Sequence, residues 1–278
     1  MKMNLSVQEK QFKLEQTFNK RIKAAQSFEE REQLYQEAYD GLFNYLLSAD
    51  DSQTVETNTK GHLPGDVAYF KSFLQESQDI LDIGCGFGGV SIYLAHNGFH
   101  VTAIDISGRL IDINKKKWAM EENVSFIQMS GCQLKFGDES FDGAFSCDMI
   151  EHLHPEDVRL HFRETSRVLK PRKRYVVMTP HALTGPHDST RCVTDRSQGP
   201  QGGHQKEWSF RELSELALDS GFTKVFSTIT YLPKLKLLTV PISVKIMVEK
   251  LAYQTSGTSR QWIIKNFRLD PLWIICVK

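Results

Sequence analysis

The chain has 278 residues, 40% of them apolar and 24% charged, and its 34 Lys and Arg balance 34 Asp and Glu. That length holds one large domain or a domain with an appendage, at a composition ordinary for a globular protein. The charge balance gives no general attraction to phosphate backbones, so no nucleic-acid partner is expected.

Residues 6–49 are rich in Glu, Gln, Lys and Arg and carry no proline. Phe12, Leu14, Phe18, Ile22 and Ala25, then Leu34, Ala38, Leu42, Tyr45 and Leu46, recur at helical spacing. The pattern predicts two helices broken near Ser27, whose apolar stripe must be covered by the core or by a second subunit. Residues 50–60 are polar and read as a loop, and a helix over 66–74 follows.

Asp79–Ile83 is a short apolar strand, and Gly84, Gly86, Gly88 and Gly89 follow it before a helix over 90–97. Glycine permits positive φ and lets a ligand approach the main chain, and the helix start offers free N–H groups. The stretch is therefore a nucleotide-type loop. Gly84, Gly86 and Gly89 satisfy G-x-G-x-x-G, with Asp105 placed to hold a ribose as in dinucleotide enzymes. Asp82, Gly84, Gly86 and Gly88 equally satisfy the D-x-G-x-G-x-G of S-adenosylmethionine (SAM) enzymes.

Strands over 101–105, 124–129, 143–147 and 174–178 then alternate with helices that Ser107 and Pro155 start. This alternation predicts an α/β fold, a doubly wound and mostly parallel sheet. Residues 180–208 lose periodicity, and a loop of that length is usually functional or disordered. Ser209 with Glu212 makes a capping box, Gly221 ends that helix, a strand over 225–231 follows, and 272–277 closes the chain as a strand. Five scattered cysteines, never in C-x-x-C spacing, argue for a reducing compartment and against a disulfide framework. With no leader-like start and no apolar run of about 18 residues, a cytoplasmic chain is expected.

The segment from Ser140 to Leu153, containing Cys147-Asp148-Met149-Ile150-Glu151-His152, resembles the fourth-strand motif of class I SAM-dependent methyltransferases. Arg167–Pro171 followed by Tyr175–Pro180 resembles their helix-to-fifth-strand junction. The resemblance covers about 79–222 and is nearest the small-molecule O-methyltransferase branch. It implies a Rossmann-like sheet of seven strands with the last strand antiparallel between the fifth and sixth. The implied domains are a helical extension over 1–78 and a SAM-binding domain over 79–278, with a loop at 181–208 and a late helical insertion at 235–268.

The resemblance also implies a cofactor site. Asp82 would hold the ammonium of SAM, Gly84, Gly86 and Gly88 the close backbone approach, and Asp105 the ribose diol. Ile106 would pack on the adenine, the Gly131-Cys132 main chain would meet its edge, and Cys147 would lie beside the methionyl part. Cys132 departs from the acid that relatives often carry there, and a thiol accepts hydrogen bonds poorly.

Methyl transfer needs mainly in-line positioning, with a base if the acceptor is a hydroxyl. His181 and His152 follow the fifth and fourth strands, where open sheets bind ligands, and are the candidate bases. His187, His204, Glu207 and Trp208 are the expected acceptor pocket, His154 and His161 are read as surface or helix residues, and no metal site is expected. The acceptor is read as a hydroxyl of a small metabolite, lipid or sugar. Alternatives are a protein or RNA acceptor and a non-catalytic SAM-binding module. A homodimer through the front helices is a further possibility.

Overall fold

A computed structural model describes residues 5–48, 64–75, 77–194, 197, 199–229 and 238–278. The expected loop at 50–60, the end of the strand at 230–231 and the first residues of the insertion, 235–237, lie outside the described residues.

Five parallel strands form the centre: β1 (Asp79–Ile83), β2 (His100–Asp105), β3 (Val124–Gln128), β4 (Phe141–Cys147) and β5 (Leu169–Thr179). Their crossovers carry α4 (Gly89–Ala95), α5 (Gly108–Lys117) and α6 (Pro155–Val168). β6 (Lys224–Ile229), β7 (Leu238–Pro241) and β8 (Leu272–Val277) complete the sheet in the order β3-β2-β1-β4-β5-β8-β6-β7. The last strand enters antiparallel between β5 and β6, as expected.

Among the described residues the sheet has eight strands, where seven were expected. The extra one, β7, lies inside the segment read as a helical insertion and pairs antiparallel with β6 at the sheet edge. An edge position tolerates its Pro241, which cannot donate to a ladder. The rest of that segment is helical, as α9 (Ile242–Gln254) and α10 (Gly257–Asn266).

Both faces of the central strands are apolar and covered, which is why these strands read as continuous apolar runs. Ile80, Val101, Phe145 and Val176 share one apolar cluster with residues of α3 (Pro64–Leu74) and α4, while Leu81, Ile83, Ile104 and Val177 share the other with residues of α6 and α8 (Phe210–Asp219). Ser209 caps α8 in the full capping box.

The two front helices, α1 (Leu5–Ala24) and α2 (Phe28–Ser48), break at the expected place. Their apolar stripe is covered by this chain's own core, since Ile22, Ala25, Leu34 and Tyr35 are buried in the cluster that holds Val158 and Phe162. Removing side chains of this size from water contributes about 1.5–3 kcal/mol each, as an upper figure. Buried Arg31 of α2 makes two bonds to the carboxylate of Asp157 on α6, at 2.8 and 2.6 Å, and the Tyr35 hydroxyl donates to the same group at 2.7 Å. α2 is thereby held across the carboxyl ends of the strands.

Candidate active site

A cavity of about 500 Å³ opens where β1 is flanked by β2 on one side and β4 on the other. This is the switch point at which open α/β sheets bind ligands. Its floor is the loop after β1. Gly84, Gly86 and Gly88 take φ of 79°, 52° and 76°. A Cβ at Gly84 would clash with Met149 and one at Gly88 would lie 2.9 Å from the Phe126 ring, whereas at Gly86 nothing lies within 4 Å. Gly84 and Gly86 line the cavity; Gly88 is a packing glycine behind it.

Two acids border the loop. Asp105, at the end of β2, is 8% exposed and accepts from the backbone N–H of Gly86 and of Ser107, each at 2.9 Å. Burial pushes its carboxyl up, and the backbone N–H groups of Ser107, Gly86 and Ile106 act against that shift. A carboxylate has about four lone-pair sites, so these bonds leave part of its capacity for a ligand. Asp82 is buried at the end of β1 and accepts the Ser91 hydroxyl. Ile106, Gly131 and Cys147 also line the cavity. Cys132 does not: it is buried, and its thiol faces the Asp157 carbonyl at 3.5 Å.

The roof comes from α2. Tyr35, Tyr39 and Phe43 project into the cavity at four-residue intervals, one face of a helix. The Phe43 ring meets Phe87 of the glycine loop edge-on at 5.5 Å. Asp40 of α2 accepts from the Ser107 hydroxyl at 2.6 Å, fixing the helix over the start of α5. The front helices were read for their apolar stripe, and these aromatic positions went unnamed. The i, i+4, i+8 repeat of aromatics was the available signal.

Of the histidines, His152 alone lines this cavity among the described residues. It sits on a short turn after β4, with the Tyr39 ring edge-on at 5.7 Å and the His204 ring at 4.8 Å. Its Nδ1 lies 3.2 Å from the Gly203 carbonyl, which can only accept, so Nδ1 carries the proton and Nε2 the lone pair. Burial, followed by the neighbouring His204, pulls its pKa down to about 4.

The expected base His181 is elsewhere. It is fully buried, its Nε2 paired with Glu249 of α9 at 2.6 Å and its Nδ1 accepting the Leu183 N–H at 2.9 Å. Both ring nitrogens are taken, one by Glu249 of α9 and the other by the turn that follows β5, and the side chain does not line the cavity. His161, read as a surface or helix residue, is on α6 but fully buried, its ring between the Gly131 carbonyl and the Tyr175 hydroxyl.

The expected acceptor residues His187, His204, Glu207 and Trp208 do not line the cavity either. They form a polar layer behind it. Glu207 accepts from the His187 N–H at 2.6 Å and faces His204 Nδ1 at 2.9 Å and His187 Nδ1 at 3.2 Å. Burial opposes its ionisation, but bonds from His187 and His204 outweigh that and hold it at about 2. Burial likewise pulls His187 down, yet Asp270 and Glu207 outweigh it and raise the imidazole to about 9. Trp208 is buried, paired with His181 in a single bridge and covered by the Lys206 ammonium at 4.3 Å.

The described part of the 181–208 loop, which includes the short helix α7 (Thr190–Val193), is hydrogen-bonded in place. Asp188 accepts the N–H groups of Gly202 and His204, and the Glu151 carbonyl accepts those of Gln205 and Lys206. Asn19 of α1 donates to the Gly202 and His204 carbonyls at 2.7 and 2.8 Å. Glu151 is fully buried; Thr179 donates to one carboxylate oxygen at 2.8 Å, and the other has no hydrogen-bond partner among the described residues. Burial, then the charge of Asp148, pushes Glu151 up to about 7.

Residues 80–172 match the family described as "Methyltransferase domain". The chain is 33% identical over 105 residues to the O-methyltransferase rstn1 of Aspergillus nomiae, covering 36% of this chain and 45% of that one. It is 34% identical over 99 residues to the demethylmenaquinone methyltransferase of Clavibacter sepedonicus, covering 35% and 39%. It thus spans less than half the length of these curated relatives. Among solved structures, the phosphoethanolamine N-methyltransferase 2 of Haemonchus contortus in complex with SAM superposes with a TM-score of 0.52. That match has 20% identity and covers 78% of this chain and 53% of the other, a likeness of fold.

Proposed function

We propose, from the premise that this chain carries a class I SAM-dependent methyltransferase domain, that it methylates a hydroxyl of a small molecule held under α2. The observation that carries the reading is one cavity with two unlike walls, an acid-and-glycine floor and an aromatic roof, and His152 between them.

The floor fits SAM residue by residue. The remaining lone pairs of Asp105 suit a ribose diol, and buried Asp82 suits an ammonium, a charge-assisted contact. The open space at Gly86 admits the ligand against bare backbone. Ile106 and Gly131 would take the adenine, and Cys147 the methionyl end. When bound, SAM would supply an activated methyl: its C–S bond would break with the electron pair left on sulfur, an O–C bond would form, and the acceptor proton would pass to His152 Nε2 and from there to solvent.

The chain's own contribution is placement. Tyr35, Tyr39 and Phe43 exclude water and present an apolar wall to the acceptor. His152, its Nδ1–H held by Gly203, keeps Nε2 as a hydrogen-bond acceptor for the hydroxyl. Orientation of this kind is worth several kcal/mol of barrier, up to about 7–11 in well-oriented intramolecular reactions. The five free cysteines fit a reducing cytoplasm, and no helix among the described residues is long and apolar enough to cross a membrane.

The test is a mass-spectrometric screen of the full chain with SAM and a library of hydroxylated small molecules. The expected result is a SAM-dependent product heavier by one methylene. Methylation found only on protein or RNA would overturn the small-molecule reading, and SAM binding with no product from any acceptor class would overturn the enzymatic one.

A further inference from the structure

The polar layer behind His152 is more elaborate than a lid requires. One potential ligand atom from each of Glu151, His152 and His204 lies within 4.8 Å of the other two. We propose that these three side chains bind one first-row divalent metal ion, where the cavity meets the 181–208 loop.

Each of the three already has one polar atom fixed. His152 Nδ1 is tied to the Gly203 carbonyl at 3.2 Å, His204 Nδ1 to the Glu207 carboxylate at 2.9 Å, and one Glu151 oxygen to the Thr179 hydroxyl at 2.8 Å. This is the outer-shell support that metal ligands use: the bond at Nδ1 fixes the tautomer and leaves the lone pair on Nε2. That leaves Nε2 of each imidazole and the second oxygen of Glu151 to offer to an ion. The free oxygen of Glu151 is buried, with no hydrogen-bond partner among the described residues, and an ion would satisfy it.

The frame is built before any ion arrives. Glu151 and His204 are held to each other through the chain, because the Glu151 carbonyl accepts from the N–H of Gln205 and of Lys206. Asn19 fixes the His204 carbonyl from the other side. Metal bonds of about 2.0–2.2 Å place neighbouring ligand atoms roughly 3.3–3.6 Å apart in a tetrahedral site. Small side-chain rotations therefore close the observed spacing. Asp148 and Asp188 act electrostatically on Glu151 and His204, so the surroundings favour a cation.

Two imidazoles and one carboxylate select manganese, iron, cobalt or zinc over magnesium and calcium, which prefer all-oxygen sites. Three protein ligands leave positions open, and His152 also lines the large cavity. With the ion bound, the His152 Nε2 lone pair is on the metal, so a hydroxyl arriving from that side takes an open metal position in place of the imidazole, and a metal-bound hydroxyl loses its proton more readily. That role rests on the proposed acceptor site; the binding of the ion does not.

The probe is Mn2+ on the full chain after chelator treatment, because the free thiols compete for softer ions. Paramagnetic resonance should show one Mn2+ bound per chain, with imidazole-nitrogen modulation in the pulsed spectrum. Glu151→Gln and His204→Gln should each weaken binding by about tenfold or more. SAM calorimetry checks the fold of each variant, and if one no longer binds SAM the other decides. No stoichiometric Mn2+ binding, binding without nitrogen modulation, or unchanged affinity in a folded variant overturns the site. SAM binding without Mn2+ binding sinks only this proposal. Mn2+ binding without any methylation sinks only the previous one.

Discussion

The floor and the roof of the cavity are assembled in different ways. Every floor residue assigned to the cofactor comes from a strand end or the turn just past it, between Asp82 and Cys147, and the sheet register alone brings them together. The roof depends on helices that precede the sheet and a loop that follows β5. Asn19 and Gly202, bonded at 2.7 Å, are 183 residues apart in sequence, and Arg31 and Asp157 are 126 apart. A floor made by a sheet tolerates changes in what is laid over it. The roof depends on a few long-range polar anchors and should fail separately.

The largest effect is expected at the seam. His152→Ala should lower kcat by about 10²–10⁴ with SAM affinity unchanged, because the side chain touches the acceptor wall and not the floor. A matching loss of SAM binding would mean that the two walls are one unit.

Next comes the anchor of the roof. Arg31→Ala leaves Asp157 buried without its cation, and breaking a buried pair in this way costs about 3–5 kcal/mol. Denaturant unfolding should show that loss, and turnover should fall while SAM still binds. If SAM affinity collapses as well, the front helices support the floor and the comparison is wrong.

A smaller effect distinguishes the layer behind the roof. His187 has its pKa raised to about 9 by Asp270 and Glu207, against an ordinary value of 6.5. A raised folded-state pKa stabilises fully below the unfolded value and loses that contribution as pH climbs through the folded one. Stability should therefore fall between about pH 6.5 and 9 by at most ~3 kcal/mol. His187→Gln should flatten that interval in thermal melts followed across pH, and an unchanged slope would assign the loss to another group.

The same contrast explains what the sequence could disclose. Asp82, the glycines and Asp105 stand at fixed offsets from apolar strands, so local pattern carries both their position and their chemistry. His181 also follows a strand, and position alone suggested a base. Its partner Glu249 lies 68 residues away on α9, and no local signal shows that this residue takes Nε2. His187, His204 and Glu207, read as one acceptor pocket, lie together behind the cavity, and that placement depends on α1 and on the turn after β4. No compact ligand spacing marks the cluster of Glu151, His152 and His204 in the sequence, because the fold brings His204 to the other two from a distant segment. β7 was missed because four residues within a mostly apolar segment do not separate strand from helix.

The most direct test of the two-wall account is a calorimetric titration of SAM into wild type, Asp105→Ala, Arg31→Ala and His152→Ala. The account predicts one SAM per wild-type chain, and a loss of about 1–3 kcal/mol for Asp105→Ala, the scale of removing a buried polar partner. Arg31→Ala and His152→Ala should bind as wild type does. Undiminished binding by Asp105→Ala, or tight NAD binding with no SAM heat, would contradict it.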